Sequence, residues 1–496
     1  MPAHIQLLDQ ADAARKSVST KLALANRAKL GQYMTPAPIA RFMASLFPPS
    51  TLQTCVLLDA GAGVGSLSSA FLDRWAMQDG FLFQQADVET YEIDPRLRNH
   101  LAEALTTYAE HLPIRWNINS QDFIEAAALQ IMAPKRYTHV ILNPPYKKID
   151  SRSSHRIVLR KAGIETVNLY SAFVALSLAL MKHGGHMVAI LPRSFCNGPY
   201  YRPFREYILQ HAALHHLHLF TSRTKAFQED GVLQENVIIH LECGGKQGSV
   251  TVSHSTDDTF SDLISQEHLF TRIVFPQDSE KFIHVPTSSE HTAIELSQNV
   301  RATLSSLGIT VSTGPIVDFR LLEHIQTSPK PHTVPLLYPG HFREQRLCWP
   351  KDGIKHGNAI CMNASTKKWL YPNGFYTVVR RFSSKEEKRR IVASVVRPDA
   401  FPGNDYLGFE NHLNVFHIDK HGLPEAIAYG LAAYLNTSAV DAAFRRFNGH
   451  TQVNATDLRN MLYPDQSTLR ELGEWARGQA SFAQTMTDQQ VRKLIQ

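Results

Sequence analysis

The stretch Val56-Leu-Leu-Asp-Ala-Gly-Ala-Gly-Val-Gly65 restricts the fold more than any other segment of this chain. Its apolar opening suits a buried strand, and glycines at 61, 63 and 65 let the backbone turn and approach a ligand where a side chain would clash. A helix is expected from Ser66, so strand, glycine turn and helix make one βα unit. Between residues 54 and 254 short β-branched runs alternate with helical segments at residues 67–77, 97–111, 169–183 and 204–213, the third ending at Gly184-Gly185. Alternation of this kind implies an α/β fold, a largely parallel sheet with helices on both faces. Residues 1–30, rich in Ala, Leu, Lys and Arg, read as helix bracing that domain.

Acidic residues close two further strands. Residues 87–93 end at Glu92 and Asp94, which puts a carboxylate where a nucleoside ribose would offer its hydroxyls, and Glu92 is the candidate ribose ligand. The interval from Gly61 to Glu92 exceeds the roughly 20 residues of a simple dinucleotide-binding unit. Taken alone, the glycine turn could cradle a dinucleotide equally well. A third acidic site, Asp122-Phe123, follows the apolar residues 113–118.

The most chemically specific segment is Asn143-Pro144-Pro145-Tyr146, which directly follows the apolar run Tyr137-Thr-His-Val-Ile-Leu142. A strand opening into a rigid turn that carries an amide and then a ring is suited to hold a planar nitrogen. The exocyclic amine of adenine is a poor nucleophile because its lone pair is delocalised into the ring. The Asn143 side-chain oxygen and the Pro144 carbonyl can accept hydrogen bonds from that amine and favour a tetrahedral nitrogen, while Tyr146 stacks on the base. Proline pairs are usually surface turns, but the buried strand before this one and the glycine turn upstream argue for a site.

In combination these segments resemble the DNA adenine-N6 methyltransferases, whose motif is (Asp/Asn/Ser)-Pro-Pro-(Tyr/Phe), and their order is that of the gamma class of TaqI-like type II modification enzymes. The resemblance implies a Rossmann-like domain that uses S-adenosylmethionine. It gives Tyr33, Thr35 and Pro36, within Leu30-Gly-Gln-Tyr-Met-Thr-Pro36, contacts to the methionine end of that cofactor. Asp59, Gly61, Gly63 and Glu92 join the cofactor set, with Asp122 on the adenine amino group and Phe123 as a ring wall. The catalytic set is Asn143, Pro144, Pro145, Tyr146 and Phe227, the last packing against an extruded adenine. The implied function is site-specific methylation of a flipped adenine in double-stranded DNA, protecting it from a cognate restriction endonuclease. An RNA adenine methyltransferase and a non-catalytic DNA-binding specificity protein are the rival readings.

A length of 496 residues suits two or three domains. The sequence places an N-terminal helical segment plus catalytic domain at residues 1–255, a boundary region at 256–305, and an α+β target recognition domain at 306–496, where aromatic-rich strands (residues 375–379 and 414–418) precede helices (425–435 and 438–447). From residue 301 onward there are 24 Lys and Arg against 17 Asp and Glu, a balance of +7, while the first 300 residues carry 27 and 28, or −1. A polyanion contacting the C-terminal part is the favoured explanation. The basic residues 147–161, with Arg152, Arg156, Arg160 and Lys161, are either a mobile loop meeting phosphates or a solvated linker. Five scattered cysteines show no metal spacing, so no metal site is expected. Cys196 reads as a small buried hydrophobe. With neither a membrane-length apolar run nor a signal-peptide pattern, a cytoplasmic, nucleoid-associated monomer is expected.

Overall fold

The computed structural model describes residues 6–21, 34–221, 235–286, 294, 297, 299–354, 357–383, 387–448, 452–479 and 484–495. They fall into two compact units, Met1–Ser289 and Glu290–Gln496.

The first unit runs α1 (Leu8–Lys21), α2 (Ala37–Ser45), β1 (Thr54–Ala60), α3 (Ser66–Ala76), β2 (Gln85–Tyr91), α4 (Pro95–His111), β3 (Ile114–Asn119), α5 (Phe123–Gln130), β4 (Tyr137–Leu142), α6 (Ser154–Lys161), α7 (Leu169–Leu180), β5 (Met181–Pro192), α8 (Arg202–His211), β6 (Ala212–Phe220), β7 (Asn236–Cys243), β8 (Val250–Ser255) and β9 (Ile264–His268). Its nine strands form one sheet in the order β3-β2-β1-β4-β5-β7-β6-β8-β9. Strands β1 to β5 lie parallel, and β7 runs antiparallel between β5 and β6. The chain order reverses between β1 and β4, which opens a crevice beyond their carboxyl ends.

Side chains alternate across this sheet. Leu58, Val140 and Leu142 face α5 and α7 in one buried cluster. Leu57, Ile141 and Ile190 face α2 and α3 in another. The second face also buries His139 and His240, while His218 packs beside Phe42 of α2 at 4.7 Å between ring centroids. The His240 Nε2 lies 3.1 Å from His186 Nδ1. Burial drives these imidazoles toward the neutral form, with His139 and His218 pulled down to about 3 and His240 to about 2.

Three expectations change. Helix α7 stops at Leu180 rather than at the Gly184-Gly185 pair, because β5 begins at Met181, paired with Tyr137, and carries both glycines inside its span. Residues 147–161 are neither a loop nor a linker throughout: Ser153 caps α6 by accepting the Arg156 N–H, and Leu159 is buried. The unit also reaches past residue 255, since β9 extends the sheet and Ile273, Ile283 and Val285 lie in its core.

The second unit is α+β. Its antiparallel sheet orders Thr310–Thr313, Leu413–His417, Tyr376–Arg380 and Ala393–Val396. A five-stranded mixed sheet is built around Thr333–Leu337, with buried Leu336 and Ile360. Helices Glu425–Leu435 and Gln466–Arg477 cross so closely that a Cβ on Gly430 would lie 1.9 Å from the Leu469 carbonyl oxygen. A Cβ on Gly473 would lie 1.7 Å from that of Ala426, so only glycine fits at either position.

Candidate active site

Side chains from the ends of β1, β2 and β4 and from the start of α5 converge on one cleft of about 260 Å³. Thr35, Gly61, Gly63, Glu92, Asp122, Phe123, Asn143 and Pro145 line it, together with Val64, Leu97, Lys147, His155 and Phe173. The glycine turn forms its floor, with φ of 80°, 60° and 91° at Gly61, Gly63 and Gly65, a region that side chains disfavour. A Cβ at Gly61 would stand in ordinary contact with Phe173 and Pro145, at 3.7 and 3.9 Å, so the positive φ and not a lack of space is what favours glycine there.

Four amides of this turn are committed within the fold. Those of Gly61 and Ala62 donate to the Tyr91 carbonyl, that of Gly65 to the Ala62 carbonyl, and that of Gly63 to Glu92 Oε2 at 2.9 Å. A phosphate cradle needs such N–H groups turned outward toward an anion. Here one of them is capped by a carboxylate. The carboxylate at Gly63 makes that part of the turn less suited to an anion.

Glu92 is held at both oxygens, since Oε1 accepts the Asp94 N–H at 2.8 Å. Burial raises its pKa, and the two backbone bonds oppose that shift. Each oxygen keeps a second lone pair, so a rigid acceptor pair stands ready for a diol. Asp122 caps α5: its Oδ1 accepts from Ile124 N at 2.9 Å and Glu125 N at 3.2 Å. Its Oδ2 lies 3.1 Å from His155 Nε2. Burial pushes the Asp122 pKa up, but His155 and the two backbone amides together hold it below the usual carboxylate value. Phe123 is buried, its ring 4.9 Å from Phe173 and 5.0 Å from Tyr91, so an apolar wall faces the acidic groups. Donor-seeking carboxylates on one side and aromatic and aliphatic carbon on the other together fit a positively charged adenosyl ligand.

Asn143 emerges from the fully buried β4, and its Nδ2 donates to Thr35 Oγ1 at 2.9 Å. That bond fixes the plane of the amide and directs Oδ1 away from Thr35. Tyr146 lies outside the residues lining the cleft. Its hydroxyl donates to the Ile190 carbonyl at 3.2 Å, and its ring sits edge-on to Tyr170 with centroids 6.1 Å apart. Pro144 is buried beside Asn143. After Tyr146 the chain leaves the turn and returns: Ile149 N donates to the Val167 carbonyl and Leu169 N to the Lys147 carbonyl, both at 2.8 Å. This short ladder closes the base of an excursion that carries α6.

Two members of the expected cofactor set do not reach the cleft lining. Asp59 is fully buried, its pKa pushed up to about 7 by that burial, and its Oδ2 accepts both Ser68 N at 3.2 Å and Ser68 Oγ at 2.7 Å. It ties α3 to β1 and so supports the glycine turn from behind. Pro36 caps α2 and is buried. Tyr33 and Phe227 lie outside the described residues. Phe173 and His155 were not anticipated from sequence. Phe173 belongs to an unbroken apolar helix that looks like core, and His155 to a polar run with no ligand spacing.

Comparison with known proteins gives this cleft its context. The family described as "Eco57I restriction-modification methylase" matches residues 20–227. The chain is 52% identical over 478 residues to the type II methyltransferase M.BsuBI of Bacillus subtilis, covering 95% of this chain and 94% of that protein. It is 39% identical over 496 residues to the type II methyltransferase M.PstI of Providencia stuartii, covering 98% and 96%. Among solved structures, the type IIL restriction-modification enzyme MmeI in complex with DNA aligns with a TM-score of 0.53 at 10% identity, over 99% of this chain and 73% of that one, a likeness of fold alone. These relatives make the chain a restriction-modification methyltransferase. Within that class the chain belongs to the type II methyltransferase family that includes M.BsuBI and M.PstI.

Proposed function

We propose that this protein is a gamma-class enzyme that transfers a methyl group from S-adenosylmethionine to the N6 amine of a flipped adenine in double-stranded DNA. Bound in the cleft, S-adenosylmethionine supplies an electrophilic sulfonium methyl. Glu92 accepts the ribose hydroxyls, Asp122 accepts from the adenosyl amine, and Phe123 and Phe173 wall the base. Asn143 Oδ1 and the Pro144 carbonyl accept the two hydrogens of the target amine. That draws its lone pair out of conjugation at a point where charge develops in a water-poor site. Tyr146, anchored through its hydroxyl, offers a ring for the extruded base, and stacking offsets part of the few kcal/mol that extrusion costs. Phe227 is proposed as the second ring.

The observation that carries this reading is the Asn143 amide, oriented by Thr35 within the same cleft as the glycine turn and Glu92. The basic C-terminal residues are proposed as the target recognition domain, and protection from a cognate endonuclease as the biological role. Long-read sequencing of DNA from a methylation-deficient host expressing the protein, beside Asn143→Ala, tests the whole. N6-methyladenine at one short motif, absent with the variant, is expected. Folded protein that leaves the DNA unmodified refutes the DNA assignment, and methylated adenine in the RNA of the same cells would identify the rival substrate.

A further inference from the structure

We propose that His155 is a positioning residue for the cofactor, holding the Asp122 carboxylate so that the remaining acceptor site of Oδ2 is turned to the cleft for the exocyclic amine of the adenosyl group. The inference rests on the reading of the cleft as an S-adenosylmethionine site and adds to it a residue from outside the βα units that carry the acidic strand ends.

A carboxylate has about four acceptor positions. Two on Asp122 are taken by the Ile124 and Glu125 amides at the start of α5, and a third by His155 Nε2 at 3.1 Å. One is left, on the oxygen that His155 orients. Without the imidazole the carboxylate would still cap α5 through Oδ1, but Oδ2 would lose the partner that fixes its direction. His155 itself lines the cleft, so the contact forms at the ligand surface.

The imidazole is held by a fixed element. Leu159 and Ile164 are buried in the core, and Arg156 and Arg160 both pair with Glu165 across the turn that follows α6. At its base the excursion is closed by the ladder between Lys147 and Leu169, directly after the catalytic turn. The charged groups facing His155 are Asp122, Glu125 and Lys147; Asp122 raises its pKa most, burial and Lys147 oppose, and Glu125 adds to the rise. The imidazolium is therefore favoured over that of a free histidine, and the pair loses its ionic character as the ring deprotonates with rising pH.

Isothermal titration of S-adenosylmethionine into the full-length protein tests this, using wild type, His155→Ala and His155→Gln. The alanine variant is expected to bind about tenfold more weakly, the loss of one well-placed hydrogen bond's worth of orientation. The glutamine variant retains a donor but no titrating group. Wild-type affinity should therefore fall about threefold relative to glutamine between about pH 6 and about pH 8.5, as a charge-assisted bond becomes a neutral one. Equal or tighter binding by the alanine variant, or superimposable pH profiles for wild type and glutamine, overturns the proposal. Wild-type protein that is folded yet binds no S-adenosylmethionine would instead remove the cofactor reading, and this proposal with it. Should the alanine variant not fold, the glutamine pH profile decides alone.

Discussion

Replacing Glu92 by glutamine changes almost no volume, yet the site should respond strongly. Both oxygens of the native carboxylate accept backbone N–H groups, from Gly63 at 2.9 Å and Asp94 at 2.8 Å. An amide keeps one acceptor and turns an NH2 group toward the other N–H, so one buried donor faces a donor. Hydrogen bonds to charged groups contribute about 1.5–3 kcal/mol each, and an orphaned buried donor costs about 1–3 kcal/mol. Burial of the native carboxylate works the other way, since it raises the Glu92 pKa and makes the charged form costly. The net loss of stability should then be about 1–2 kcal/mol, a fall in Tm of a few degrees for a unit of this size. Cofactor affinity should suffer more. The turn amide at Gly63 loses its anchor, and a diol that met two anionic oxygens meets one neutral one. A loss of about 2 kcal/mol in binding is roughly thirtyfold in Kd. Calorimetric titration with S-adenosylmethionine, beside a thermal melt without it, separates the two effects. A glutamine variant with wild-type Kd would refute the argument that this carboxylate organises the turn and receives the ribose.

Other perturbations should be equally informative. Thr35→Val removes the acceptor of the Asn143 Nδ2 bond and should cut the methyl-transfer rate at saturating cofactor about tenfold, whereas Thr35→Ser should restore it; a weaker cofactor affinity with an unchanged saturated rate would argue against the orienting role. The buried neutral imidazoles of His139, His218 and His240 have pKa values depressed to about 3, 3 and 2. Their contribution is intact above the unfolded-state pKa and is lost as pH falls from about 6.5 toward those values, at roughly 1.4 kcal/mol per histidine per pH unit. Thermal melts should be level above about pH 6.5 and drop sharply by about pH 5.5, and a flat profile would contradict the burial of these rings. Gly473→Ala forces a Cβ into the Ala426 carbonyl oxygen and should destabilise the second unit by about 3 kcal/mol, while Gly478→Ala, whose Cβ would stand 3.5 Å from its nearest neighbour, Trp475 O, should be nearly silent in the same melt.

The parallel sheet was legible because its signals are local: β-branched runs, a glycine turn and helix starts each declare themselves within a dozen residues. Strand β4 and its exit into Asn143-Pro144-Pro145-Tyr146 could be placed from hydrophobicity and two prolines. What the sequence does not state is which way a given carboxylate faces. Asp59 and Glu92 both stand at the ends of neighbouring strands, yet one turns back onto Ser68 of α3 and the other toward the cleft. Phe173 escaped notice because a helix buried on all sides has no periodicity to mark one face as functional. His155 escaped because its partner lies 33 positions earlier, on another element. The end of α7 was misplaced because strand pairing with Tyr137 outweighed the glycine pair as a stop.

The two-bond clasp between Lys147–Ile149 and Val167–Leu169 has an evolutionary consequence. A segment whose ends are tied together can lengthen or shorten cheaply, since doubling a loop costs only about 0.6 kcal/mol of closure entropy. The Asn143-Pro144-Pro145-Tyr146 turn lies just before the clasp, outside the tied segment. Insertions of different size and charge are therefore best tolerated at the exposed Ser151-Arg152 turn, where the buried Leu159 and the His155–Asp122 contact are left in place.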